Sequence, residues 1–128
     1  MKNKFTFFLE NTDCDNDPKI RTVIVRPEIK NKNELFELFC SQLKFPEYFG
    51  ENWDAFYDCL ADLSWVYEQK IVIQHKDIPL ESINEKKIYI QILSDLVDHW
   101  NKYKEFHQLE ICFPRKNERE IDLICQNR

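Results

Sequence analysis

Glycine is almost absent. Gly50 stands alone in 128 residues, where average usage of about 7% would supply roughly nine. Nucleotide-binding motifs that cradle phosphate in a glycine-rich loop cannot be built from such a chain. Basic charge is short as well: 18 Lys and Arg stand against 23 Asp and Glu, for a formal charge of -5. That is the wrong sign for a protein that neutralises phosphates and releases their counterions, so no direct nucleic-acid binding is expected. An acidic surface instead speeds the encounter with a basic partner.

Paired cysteines are lacking too. Cys14, Cys40, Cys59, Cys112 and Cys125 are odd in number, scattered, and form no C-x-x-C. This argues against a zinc site and a disulfide framework, and the five are expected to be reduced, mostly buried thiols. No long apolar run exists. Phe5 to Leu9 is too short for a signal segment, and nothing approaches the roughly 20 residues of a membrane span. The expectation is a cytoplasmic protein with no membrane association, no cofactor and no metal. Asp13, Asp15 and Asp17 make D-x-D-x-D, but Pro18 stands where a calcium loop requires glycine and Ile24 where it requires glutamate. Asp95 and His99, one helical turn apart, have no third convergent ligand. His75 and His107 sit near expected strand ends and form no nucleophile constellation with a cysteine.

What the chain does have is core material: 43% hydrophobic residues, including ten phenylalanines. This is enough to offset chain entropy in one domain spanning 1–128, with a core at about 21–113 and terminal additions at 1–20 and 114–128. Phe5 to Leu9 and Ile20 to Val25 read as strands, and Asn33 is a candidate cap for a helix carrying Leu35, Phe36, Leu38, Phe39 and Leu43. Pro46 closes it. A second helix is expected from about Trp53 to Ser64, a strand over Lys70 to Gln74, and a third helix from about Tyr89 onward. His107 to Phe113 and Glu120 to Cys125 read as strands flanking a hairpin. Strands alternating with helices imply an α/β fold, a small parallel sheet packed with helices and extended by extra N- and C-terminal strands that can add antiparallel edges.

The most informative segment follows Gly50, which suits either a bend between helices or a surface that another backbone approaches closely. Glu51, Asp54, Asp58 and Asp62 recur at spacings of three and four, an arc of about 80° on a helix. Trp53, Phe56, Leu60 and Leu63 take the opposite arc, with Tyr57 at the boundary. Like charges at these separations oppose helix formation by a few tenths of a kcal/mol per pair, so stability does not account for the stripe. It serves as an ordinary solvated face or as a row of anions spaced to meet Arg, Lys or protonated His.

The run Phe45-Pro-Glu-Tyr-Phe-Gly-Glu-Asn-Trp-Asp-Ala-Phe-Tyr-Asp-Cys-Leu60 resembles the signature of the barstar family of intracellular ribonuclease inhibitors. The match is close over about 16 residues, and topological from Arg21 to Phe113. The resemblance implies a parallel sheet with packed helices and an inhibitory surface made by the second helix and the loop before it. It implies that Asp58 enters a nuclease active site where substrate phosphate would sit, and that Asp54 supports it. Tyr48 would pack at the rim and Gly50 would permit close approach. Asn52 falls at the helix start and serves more safely as a cap than a contact. Tyr57 stands where the family has tryptophan. An acid on the last helix also belongs to the family's surface, with Asp95 and Asp98 as candidates. The implied partner is a basic ribonuclease or nuclease toxin, bound by a monomer in a 1:1 complex. The other readings are an interaction module for a different basic protein, and a hydrolase using paired carboxylates. The last needs a concavity that a convex helix does not offer.

Overall fold

The structure is a computed structural model that describes residues 5–8, 18–46 and 52–126. Its elements run β1 (Thr6–Phe8), β2 (Ile20–Val25), α1 (Lys32–Leu43), α2 (Trp53–Asp62), β3 (Lys70–His75), α3 (Ile83–Lys102), β4 (Gln108–Pro114), a 3-10 turn (Arg115–Asn117) and α4 (Glu118–Gln126). The sheet has the order β1-β4-β3-β2 and every pair is parallel. Register aligns Val23 with Ile73 and Ile73 with Ile111. All three are fully or almost fully buried, so one face of the sheet forms the floor of the core, against which α1 and α3 pack. Edge strand β2 is guarded by α1: the Gln42 carboxamide accepts the Ile24 N–H at 2.8 Å and donates to the Ile24 carbonyl at 2.9 Å. A side chain here occupies backbone groups that could otherwise template another strand.

The helix caps explain where the elements begin. Asn31, rather than the expected Asn33, caps α1, its side-chain oxygen accepting the Glu34 N–H at 3.0 Å. This choice leaves an acid in the first turn, at the positive end of the helix dipole. Ser82 caps α3 by accepting the Glu85 N–H at 3.3 Å. The third helix therefore starts six residues before the expected Tyr89. Ile88, Ile90 and Ile92 alternate in sequence, but as helical residues they fall on different faces: Ile90 is buried, Ile92 half-buried and Ile88 exposed.

Both terminal additions have elements. β1 joins the sheet beside β4, in parallel rather than antiparallel fashion. The expected C-terminal strand, Glu120 to Cys125, is corrected: this stretch lies in α4, and no hairpin follows β4. Its buried residues are Ile121 and Ile124, three apart, while Leu123 is exposed. That is a helical stripe laid against α3 and tied to it by a 3.2 Å Lys86–Glu120 ion pair. Among the described cysteines, only Cys59 is buried, and Cys40, Cys112 and Cys125 are half-buried. No described helix is long and apolar enough to cross a membrane.

Candidate functional site

The acidic helix is α2. Asn52 starts it, its side-chain oxygen accepting the Ala55 N–H at 2.8 Å, and Asp54 lies in the first turn, where a carboxylate favours the dipole. Aromatic packing fixes the helix from beneath. Phe56 is fully buried among the rings of Phe36 (5.2 Å), Phe39 (5.0 Å) and Tyr89 (6.2 Å), and Leu60 is buried one turn on. Trp53, on the arc opposite the acids, is only half-buried and stands edge-on to Phe36 at 5.1 Å. With that face committed to the core, Asp54, Asp58 and Asp62 are exposed and Tyr57 is half-buried. Tyr48 and Gly50, the two candidate contacts in the preceding loop, lie outside the described residues, as do Glu51 and the D-x-D-x-D run.

Tertiary structure adds a second helix to this surface. Asp54, Tyr57 and Asp58 line an open depression together with Trp53 and, from α3, Ile92 and Asp95. Gln91 Nε2 donates to Asp95 Oδ1 at 2.8 Å and orients that carboxylate. Burial raises the Tyr57 phenol above its usual range, and the carboxylates of Asp95 and then Asp58 raise it further. The phenol thus keeps its proton and sits between acids from two helices. Asp98, the other candidate acid that the family resemblance implies, is exposed but does not line the depression. Asp62 belongs elsewhere: it lines an aromatic cleft with Tyr67, Trp100, Tyr103 and Phe106 at the far end of the helix.

Chemically, a rim of three carboxylates around one phenol suits guanidinium, ammonium or imidazolium groups, each of which donates charge-assisted hydrogen bonds to carboxylate oxygens. Cys59, buried on the same helix, is a poor candidate nucleophile. Burial, and then Cys40, Asp62 and Asp58, push its thiol up and keep it protonated. Among the described residues, no group of three or more His, Cys, Asp or Glu side chains is placed to hold a metal ion.

A family model described as Barstar (barnase inhibitor) matches residues 21–112. The matched span takes in α1, α2, β3 and α3 whole and most of β2 and β4, so every described residue of the depression lies within it, while β1 and α4 lie outside. No curated protein matches the chain.

Proposed function

The chain belongs to the barstar family of barnase inhibitors, and from that premise we propose that it occludes the active site of a basic ribonuclease with the acidic face of α2. Family members are inhibitors rather than catalysts. The observation that carries the reading is the exposure of Asp54 and Asp58 on a helix whose other face is locked into the core, with Asp95 brought alongside from α3. A carboxylate held by such a helix mimics substrate phosphate with little ordering cost, and the net negative charge accelerates docking. Asp58 is the anchor, Asp54 and Asp95 flank it, and Tyr57 supplies an aromatic contact. Asn52 acts through the helix it caps. Tyr48 and Gly50 extend the surface along the preceding loop. The complex is 1:1 and cytoplasmic, in self-protection against a nuclease or in immunity to a delivered toxin.

Asp58→Ala tests the reading. Truncating one partner of a buried interfacial charge pair costs about 2 to 5 kcal/mol, a general range for which charge pairs between barnase and barstar are themselves a standard example. This corresponds to roughly 30-fold to several thousand-fold in affinity. Binding kinetics of the wild type, Asp58→Ala and Asp62→Ala are measured against barnase, with circular dichroism to check folding. The expectation is fast dissociation for Asp58→Ala alone. Equal losses for both variants would leave only general electrostatics and remove Asp58 from the site. A wild-type chain that binds other basic nucleases but not barnase would favour a partner with a differently shaped rim, since Tyr57 replaces the family's tryptophan.

A further inference from the structure

α2 ends without a cation of its own: its last turn has no basic residue, and Asp62 sits at the negative end of the dipole. Donors from other elements serve its last carbonyls. The Trp100 indole N–H donates to the Leu60 carbonyl at 2.9 Å. The ring of His107, immediately before β4, lies between two more. Its Nε2 is 3.1 Å from the carbonyl oxygen of Leu63, the C-cap of α2, and its Nδ1 is 2.9 Å from that of Glu68. His107 is 7% exposed, and its ring meets that of Trp100 edge to face at 5.2 Å.

Both partners of this ring are peptide carbonyls, which accept hydrogen bonds and cannot donate them. A neutral imidazole has one N–H and one lone pair. One of the two contacts would then set lone pair against lone pair in a buried place, whereas an imidazolium satisfies both. His75 shows the alternative. Its Nδ1 donates to the Cys112 carbonyl at 2.9 Å, but its Nε2 meets the Tyr89 hydroxyl at 2.7 Å, a group that can donate, so a ring with one proton suffices.

We infer that His107 is a doubly protonated clamp that joins the end of α2 to the approach of β3, and is thereby a positioning residue for the acidic face; the second clause rests on the reading of α2 given above. A buried charge needs partners. Here two carbonyls supply them, one at the C-terminus of a helix, where a protonated histidine is favoured. Charged and titratable groups lining the same cleft as the ring are Asp62 on α2, Tyr67 on the connection to β3, His99 on α3 and Tyr103 at its C-cap, and Glu68 meets the ring through its carbonyl. The Glu68 carboxylate is itself engaged by Arg21 of β2 at 2.8 Å.

The test uses the full chain, free of any partner and labelled with 15N. At about pH 7, in the range where histidine titrates, the His107 ring should show protons on both nitrogens, while His75 shows one, on Nδ1. Raising the pH until His107 loses a proton should move the backbone amide signals of residues 63–68 with the same midpoint. In His107→Gln, which keeps an N–H donor but no charge, those amides should stay in place over the same range. An unprotonated ring nitrogen on His107 at about pH 7, or amides at 63–68 that ignore the ring's titration, would overturn the inference. Should the variant fail to fold, the wild-type ring measurement still decides. Because the nuclease is absent, failure here leaves the reading of α2 standing, and failure of Asp58→Ala leaves the clamp standing.

Discussion

The two faces of α2 answer to different demands. Phe56 and Leu60 are buried among side chains of α1 and α3 and contribute to folding through area and packing. Asp54 and Asp58, on the opposite side of the same ten residues, contribute nothing comparable to folding: the small gain of Asp54 at the helix dipole is set against like-charge repulsion between the two one turn apart. One face can be altered at the expense of stability and the other at the expense of binding. An acidic stripe without a stabilising role is informative here only because the stripe behind it is so firmly placed.

The largest effect that would sharpen this contrast is Phe56→Ala. Removing a fully buried aromatic side chain typically costs about 3 to 5 kcal/mol. Urea denaturation should show that loss, while the fraction still folded binds nuclease with unchanged affinity. Asp58→Ala should show the mirror image, a loss of about 2 to 5 kcal/mol in affinity with the urea midpoint in place. If either variant changed both quantities equally, the division between the faces would fail.

Acidification attacks the buried side. Phe56 packs against Tyr89, whose hydroxyl meets the fully buried His75, and burial holds that imidazole down from 6.5 to about 3, partly offset by its bond to Cys112. A depressed histidine binds its proton more readily in the unfolded chain. Its contribution to stability is therefore complete above pH 6.5 and is lost as pH falls from there toward 3. The slope is about 1.4 kcal/mol per pH unit, so moving from about pH 6.5 to about pH 5 should cost roughly 2 kcal/mol. Chemical denaturation at the two pH values checks this; equal stabilities would show a ring that titrates as in water.

Smaller effects test the ends of the helix. Asn52→Ala removes the cap that both faces share and should cost about 1 kcal/mol of stability, read from thermal melts, with any change in nuclease affinity following from fraying of the first turn. Asp62→Ala should be the mildest change. It is exposed and lines the aromatic cleft rather than the depression, so its effect on stability should stay within about 0.5 kcal/mol and its effect on binding should be confined to a modest slowing of association. A fast-dissociating Asp62→Ala would extend the binding face to the far end of α2.

Much of this was legible before folding was considered. The spacing of Asp54, Asp58, Phe56 and Leu60 shows the amphipathic helix and which residues face outward, because 3.6-residue periodicity is local. The strands β2 and β3 are likewise visible as short β-branched runs and β4 as an alternation of Leu109, Ile111 and Phe113, closely matching their observed bounds. The late expected start of α3 and the misread C-terminal strand have a common cause. Ile88, Ile90 and Ile92 alternate like a strand, and so do Ile121, Leu123 and Cys125, yet both sets are helical. Over five residues, apolar side chains at i and i+4 fit either period, and an apolar side chain at i+2 does not rule out a helix because it can be left on the other face; only the partner surface decides. The Ser82 and Glu85 cap was a usable signal for α3, since a serine followed three residues later by glutamate marks a helix start.

By itself the sequence determined the acidic balance, the glycine poverty, the opposed faces of α2 and the signature of its family, all properties of residue type and near-neighbour spacing. Only the tertiary structure decided that Asp95 rather than Asp98 joins Asp54 and Asp58, that the last segment is a helix on α3, and that His107 faces two carbonyls while His75 faces one and a hydroxyl. These are contacts between residues up to 44 positions apart. No local period encodes them, because they depend on how whole elements are brought together and on which polar groups burial leaves facing each other.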